Sequence, residues 1–245
     1  MLVKTHLFLL YALISTQICF ADEKMPAFFE ANYTLYSNDT QVGLMERRFF
    51  QLENGTYSFS SESKTTGFIA LLKKVHILEV STWDLIDSYF TPLNYTYHHT
   101  KGKKERDAEI NFNWNKNQIT NRVNDSTWHM QTQKGIQDKL LYQLTIMSDL
   151  MSGQIPESYA IADGGKIKQY VFERIADETL KTPLGEFKTI KLALHKKNKK
   201  QETFLWCAYD LNFLPIKVTS TEKDDRLSTA IIKSLKGLGL DNTSG

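Results

Sequence analysis

Most of this chain is a succession of short segments in which apolar and polar residues alternate, separated by turn-forming residues. The segment Phe29–Ser37 ends at Asn38-Asp39, and Asn54-Gly55 is the strongest hairpin signal of the chain. Alternation at period two predicts half-buried strands, because successive side chains of a strand point to opposite faces. The pattern gives roughly a dozen strands at the even spacing of an all-β protein. A sheet of that size curls, splits or closes rather than staying flat.

One long stretch has a helical period instead. Gly135–Gly153 carries apolar residues three or four positions apart, which places them on one helical face: Ile136, Leu140, Leu144, Met147 and Met151. Asp138 is the predicted N-cap, and Gly153 with Pro156 ends the helix. We therefore predict a mostly β fold. It is a large curved antiparallel sheet, or a partly open barrel or sandwich, with one main α-helix packed on the concave face. The apolar run Gly67–Leu72 is either a helical turn or a strand that dips into the core.

The N-terminus is predicted to be a cleaved signal peptide, residues 1–21. Lys4 supplies the basic start and LFLLYALI the apolar core, while Cys19 and Ala21 are small residues ahead of the cut. The apolar run is shorter than the span of about 20 residues that a membrane helix needs. The prediction is an exported, periplasmic protein. A lipoprotein with Cys19 as its first mature residue is the minor alternative, since Ile18 stands where that cut favours a small residue. A retained anchor helix is a further alternative.

Residues 22–245 are predicted to form a single β-rich domain, with residues 236–245 as a frayed tail. Removing the signal takes away Lys4 and no acid, so the formal charge of +2 becomes +1. A near-neutral chain lacks the strong basic excess of a nucleic-acid binder. Only Cys207 of the 2 cysteines remains, in an apolar strand, and its expected state is a buried small hydrophobe.

No catalytic, metal or cofactor motif is present in the sequence. His98 and His99 are neighbours in a predicted strand, so they point to opposite faces and do not share one metal. There is no nucleophile elbow, phosphate-binding loop or dinucleotide fingerprint. We predict no cofactor and no catalytic or metal-binding residue.

The candidate ligand-binding residues fall into a polar group and an apolar group. Tyr95, Tyr97 and His99 share one strand face, and the next strand begins with the charged run around Arg106. Arg106 or Lys104 is a candidate for binding an anionic head group; a solvated cross-strand ion pair is the simpler interpretation. The predicted apolar lining comes from the run Gly67–Leu72 and from the main helix, although such a stripe is more often plain core: Leu140, Leu144, Met147 and Met151.

The chain resembles the bacterial exported family called domain of unknown function 3108. The pieces that carry the resemblance are spread over the whole mature chain: Ala31, Tyr33 and Gly43; Tyr57 and Ser61; Pro92, Tyr95 and Tyr97; Lys104-Glu105-Arg106; Phe112 and Trp114; Gly135, Asp138-Lys139-Leu140 and Tyr142-Gln143; Thr182-Pro183-Leu184-Gly185 and Phe187; Trp206 and Ala208; Leu214-Pro215. Ile136-Gln137 departs from the smaller and more polar pair of the family. The resemblance implies a periplasmic or envelope protein of mostly β fold, and it implies no reaction.

These observations predict a non-enzymatic periplasmic protein that binds or carries an apolar or amphiphilic ligand such as a lipid. Peripheral contact with a membrane is compatible with that function. The first alternative is an envelope scaffold or assembly factor that binds another protein through a sheet edge or the helix. The second alternative is a hydrolase whose site the sequence does not display.

Overall fold

The computed structural model describes residues 25–196, 201–222 and 224–239. The predicted signal peptide with Cys19, and the last residues of the predicted tail, lie outside this part of the chain. Two helices are found here, α1 (Gly67–Leu72) and α2 (Tyr142–Met151). The strands are β1 (Phe29–Ser37), β2 (Thr40–Gln51), β3 (Tyr57–Thr65), β4 (Val75–Ile86), β5 (Tyr89–Lys101), β6 (Lys104–Asn113), β7 (Gln118–Val123), β8 (Ser126–Gln131), β9 (Ser158–Asp163), β10 (Lys166–Thr182), β11 (Gly185–Lys196), β12 (Glu202–Ala208), β13 (Leu214–Thr221) and β14 (Leu227–Gly237).

All these strands belong to one antiparallel sheet, as the alternation predicted. Its order is β8-β7-β6-β5-β4-β3-β2-β1-β14-β13-β12-β11-β10-β9. Two meanders, β1–β8 and β9–β14, are joined where β1 pairs with β14. In the described chain the sheet is not closed by strand pairing, and β8 and β9 are its edges. The segment that carries α2 connects these two edges.

The two edges approach each other at a contact that we call the seam. Trp128 of β8 packs against Gly165 in the β9–β10 turn, where an added Cβ would lie 2.9 Å from the indole. Gly165 also has a φ of +76°, which favours glycine. Gln137 covers the outer edge of β9, because its N–H donates to Ala160 O at 2.8 Å and its carbonyl accepts from Ala162 N at 2.9 Å. Covering an edge in this way removes a site for unwanted strand pairing.

Helix α2 is enclosed by the sheet. Leu140, Leu144 and Met147 belong to a core cluster with the first meander. Tyr142 and Ile146 belong to a second cluster with β9–β12. Eight of the ten residues of α2 are buried, including polar ones, and none is exposed, unlike a surface helix, which keeps a polar face in water. The curled sheet therefore wraps around α2, and the predicted packing on the concave face is confirmed.

The main helix begins later than the sequence predicts. Residues 135–141 are not helical, because Gln137 is used as a bridge to β9. Asp138 caps the turn that follows, with Oδ1 accepting from the N–H groups of Leu140 and Leu141 at 2.8 Å each. The helical period of Ile136 and Leu140 thus reflects burial in a non-helical approach to α2.

The short apolar run forms helix α1 and not a core strand. Thr66 precedes it, and none of its residues is buried. Phe68, Leu71 and Leu72 are 71%, 82% and 71% exposed. Of the two structures that the sequence allowed here, the helical turn is the one that forms, and it projects from the sheet.

Replacing Leu144 by Ala tests the enclosure of α2. Leu144 is fully buried, so Leu144→Ala is expected to lower the free energy of unfolding by roughly 2–5 kcal/mol in urea denaturation. Leu71→Ala, at a largely exposed position, is the matched control and should change it by less than about 0.5 kcal/mol. Equal effects of the two substitutions would contradict the enclosed position of α2.

Candidate functional site

A row of polar side chains crosses the concave face of the sheet. The strand register aligns Arg47, Ser61, Glu79 and Tyr97 on β2 to β5. Arg47 is buried and lies over the ring of Tyr33 at 5.4 Å, and its Nε has no hydrogen-bond partner among the described residues. A buried cation normally has a paired anion, because desolvation of a lone charge is costly. This row therefore brings an unusual positive charge into the interior.

Asp138 lies beside this row, fully buried beneath the start of α2. Its Oδ2 accepts from Ser81 Oγ at 2.5 Å, and its Oδ1 caps the turn into the helix. Burial raises the pKa of Asp138 to about 6, although the hydrogen bonds from Ser81 and the backbone act in the opposite direction. Asp138 is thus a structural anchor that titrates in a mildly acidic range.

Tyr95, Glu79 and Lys139 form a second polar group next to Asp138. The Tyr95 hydroxyl donates to Glu79 Oε1 at 2.5 Å. Lys139 Nζ lies 4.0 Å from the same oxygen and 5.1 Å from the ring centroid of Tyr97. Burial, followed by the charge of Glu79, raises the pKa of Tyr95 well above its usual value. Tyr95 is therefore a protonated donor and not a phenolate.

These residues open into a cavity of about 330 Å³ near the seam, which we call the seam pocket. Its polar lining comes from three sheet strands, the approach to α2 and the β9–β10 hairpin: Tyr95, Tyr97, Arg106, Asn121, Lys139, Asp163, Lys168 and Tyr170. Lys168 is paired with Asp163 at 2.6 Å. Arg106 has no ion pair within the described chain, and the Oδ1 of Asn121, which is 1% exposed, has no hydrogen-bond partner there. The pocket thus offers cationic donors, and the unpaired amide oxygen in its lining is buried.

A second cavity of about 520 Å³ lies on the opposite wall of the curled sheet, at the end that carries α1. We call it the mouth pocket. Its apolar lining is Leu35, Val42, Ile69, Val75, Val218 and Ala230. Leu35 and Ala230 also pack against the main core cluster, so the pocket continues the core-facing side of the sheet. It differs from the core in being open to solvent at the α1 end.

The structure brings together only part of the predicted site. Tyr95, Tyr97 and Arg106 line the seam pocket, as cross-strand neighbours should. Leu140, Leu144 and Met147 pack in the core and line neither of these two pockets, and Met151 is half-buried at the end of α2.

Several pocket residues had only a weak signal in the sequence. Ile69, Val75, Val218 and Ala230 fit the period of their own strands or helix, but the pairing of β1 with β14 is needed to bring them to one place. Lys139 and Asn121 are likewise placed by tertiary contacts. The sequence suggested the polar half of the site because β5 and β6 are consecutive strands.

The described residues give no sign of metal or thiol chemistry. Within them, no group of three or more His, Cys, Asp or Glu side chains is arranged to hold a metal ion. Cys207 is fully buried, and burial raises its pKa to about 12, which fits its predicted character as a small hydrophobe. No helix in this part of the chain is both long and apolar enough to cross a bilayer.

The fold defines a β-barrel-like protein: an unclosed antiparallel sheet that is curled around one buried helix. It is similar to the crystal structure of a β-barrel-like protein of domain of unknown function DUF1849 from Brucella abortus. That similarity has a TM-score of 0.59 at 10% identity and covers 86% of this chain and 98% of the other. The family described as Protein of unknown function (DUF3108) matches residues 32–228, and the chain belongs to it. The resemblance noted in the sequence is confirmed.

Other solved structures are more distant. The chain is similar to MucB with a TM-score of 0.34 at 10% identity, over 91% of this chain and 57% of MucB. A putative lipoprotein from Parabacteroides distasonis has a TM-score of 0.33 at 11% identity, over 86% of this chain and 97% of the other. A comparison with curated protein sequences finds no match.

Asp138→Asn tests the role of the buried carboxyl group. Its folded pKa of about 6 lies above its ordinary value of 3.8, so the folded state binds the proton more tightly and stability falls as pH rises through this window. Asparagine keeps the cap through Oδ1 and donates to Ser81 through its amide nitrogen. We expect the variant to gain up to about 3 kcal/mol relative to the wild type as the pH rises from 3.8 to above 6, measured by urea denaturation. Asp39→Asn, in an exposed turn, is the control, and parallel curves for wild type and Asp138→Asn would refute the assignment.

Proposed function

We propose that this protein is a non-enzymatic binding protein of the cell envelope, and that its ligand is an amphiphile with an apolar chain and an anionic head group. The mouth pocket is the observation that carries this proposal. Its volume of about 520 Å³ lies in the range of small-molecule sites, which are typically about 300–1,000 Å³ and mostly apolar. The periplasmic location rests on the predicted signal peptide and on what membership of the family implies.

The apolar lining of the mouth pocket explains why a chain-like ligand is favoured. Ile69, Val75 and Val218 are half-buried around an open cavity, although neighbouring positions on the same face are closed by core packing. Apolar surface left open to water is unfavourable by roughly 25 cal/mol per Å². An acyl chain in this cavity would remove that surface from water and complete the packing that α2 provides deeper in the sheet.

A cation at the mouth pocket favours an anionic head group. Lys73 belongs to the pocket lining, is exposed and has no ion pair in the described chain, whereas Arg226 of the same lining is paired with Asp224. An unpaired ammonium group suits a carboxylate or phosphate at the open end of the cavity. The cations of the seam pocket lie on the opposite wall and are separate from this site.

A scaffold that binds another envelope protein is the second candidate, and exposed α1 is the feature that favours it. A hydrolase has less support, since no acid, base and nucleophile converge in either pocket lining.

Binding of a fluorescent long-chain fatty acid by the purified protein tests the mouth pocket. Ile69 lines the pocket, whereas Leu71 on the same helix is 82% exposed and does not belong to the lining. We expect Ile69→Asn to weaken binding roughly tenfold, which corresponds to about 1.4 kcal/mol for a polar group placed against the chain. Leu71→Asn, the matched control, should bind as the wild type does. Absence of binding to the wild type, or equal binding to Ile69→Asn, would contradict the proposal.

The head-group site is tested by comparing a fatty acid with the fatty alcohol of the same chain length. Lys73→Gln is expected to weaken binding of the acid about 3- to 10-fold and to leave the alcohol unchanged, because only the acid carries a charge for the ammonium group. Lys74→Gln removes the same charge from the next position, which is exposed and outside the lining of the mouth pocket, and serves as the control. Loss of both ligands in Lys73→Gln would indicate a structural effect instead.

A further inference from the structure

We propose that the α1 end of the protein docks onto the surface of a membrane that contains anionic lipids. In this orientation α1 inserts its apolar side chains into the interface and the mouth pocket faces the bilayer. The docking surface consists of α1 and the lysine residues around it. Docking requires only the exposure and charge of these residues, so it does not depend on the mouth pocket holding a ligand.

The apolar part of the docking surface is the tip of α1. Phe68, Leu71 and Leu72 are 71%, 82% and 71% exposed. Ile69 on the same short helix lines the mouth pocket, so the other side chains are free to point away from the protein. An apolar cluster of this kind on a projecting element is a feature of interaction sites.

A ring of lysine residues surrounds this tip. They come from the end of β3, the exit of α1 and the β5–β6 turn, and all are exposed: Lys64, Lys73, Lys74, Lys101, Lys103 and Lys104. The N–H of Gly102 donates to Lys74 O at 3.0 Å, which ties the β5–β6 turn to the exit of α1. None of these lysine residues has an ion pair in the described chain, where thirteen ion pairs involve other residues. These six lysine residues are a strong local excess of positive charge in a chain whose formal net charge is +2.

The combination of an apolar tip and a flexible cationic ring fits a membrane better than a folded protein. Insertion of a few apolar side chains, together with attraction of lysine to anionic head groups, is how peripheral proteins bind a bilayer. A stable protein interface buries about 800 Å² on each partner and has a polar rim with fixed geometry. Three side chains on a helix as short as α1 offer much less, and lysine side chains fix no geometry.

Docking in this orientation has a consequence for the mouth pocket. The pocket lining includes Ile69 of α1 and Lys73, which directly follows the helix, so the pocket opens beside the inserted helix. A lipid that leaves the bilayer would reach the pocket without crossing bulk water.

Co-flotation with lipid vesicles tests the docking surface. Vesicles of phosphatidylcholine alone are compared with vesicles that also contain phosphatidylglycerol. We expect binding to the anionic vesicles, weaker at high salt because screening reduces the attraction of lysine, and at least tenfold weaker binding to phosphatidylcholine alone. Leu71→Asn combined with Leu72→Asn should lower binding to anionic vesicles at least tenfold, and Lys73→Gln combined with Lys74→Gln should lower it at least threefold.

Two controls remove similar groups elsewhere. Ile155→Asn changes an exposed apolar side chain in the segment between α2 and β9, and Lys181→Gln changes an exposed lysine near the β10–β11 turn. Both are expected to bind vesicles as the wild type does. Circular dichroism checks that each variant is folded.

Failure of the docking proposal is distinguishable from failure of the proposed function. Ile69→Asn is expected to bind the fatty acid roughly tenfold more weakly and to bind vesicles as the wild type does, whereas the Leu71 and Leu72 double variant should show the reverse. No binding of the wild type to anionic vesicles, or undiminished binding by the double variant, would overturn the docking proposal. The docking proposal would also be overturned if α1 were cross-linked to a protein in the cell envelope and the purified protein did not bind anionic vesicles.

Discussion

Enclosure of α2 is the constraint on which the rest of the structure depends. Eight of the ten residues of the helix are buried, so the helix is stable in this position only when strands surround it. One large sheet meets this requirement by curling until β8 and the β9–β10 turn touch at the seam. Because the helix connects the two edge strands, the chain segment that fills the interior also brings the edges together. The segment that carries α2 therefore both fills the interior and sets the curvature of the sheet.

The approach to α2 must carry backbone polar groups into this apolar interior. Gln137 pairs its backbone with β9 and donates from its side chain to Phe90 O at 3.0 Å, and Asp138 satisfies two N–H groups of the following turn. Without such partners each buried group would be destabilising by about 1–3 kcal/mol. The raised pKa of Asp138 is the consequence of this arrangement, since a carboxyl group gives the cap but is desolvated. The polar row with Arg47 and Glu79 on the neighbouring strands makes the surroundings less apolar than the core below.

Local patterns were enough to predict the fold class and the extent of most strands. Phe29–Ser37 agrees with β1, because alternation and turn residues are properties of neighbouring positions. With Asp138 as its N-cap, the predicted start of α2 was wrong by about one turn, since the bridge of Gln137 to β9 competes with the helix and no local signal reports it. In the same way Tyr95, Tyr97 and Arg106 were predictable as neighbours on consecutive strands. The mouth pocket could not be predicted from the sequence, because the residues of its lining come together only through the pairing of β1 with β14.

Helices α1 and α2 both carry large apolar side chains, but those of α1 are exposed and those of α2 are buried, and chain connectivity explains the difference. Helix α2 lies in the long connection between the two edges and can reach the interior, whereas α1 connects two adjacent strands, β3 and β4, and is held at the rim. Once α2 occupies the interior, Phe68, Leu71 and Leu72 have no core to join. Their exposure therefore follows from topology, but their apolar character does not, since a polar turn would connect β3 and β4 equally well. Apolar residues at that rim, next to an open apolar cavity and a ring of unpaired lysine residues, are best explained by an environment that is itself apolar and anionic at its surface.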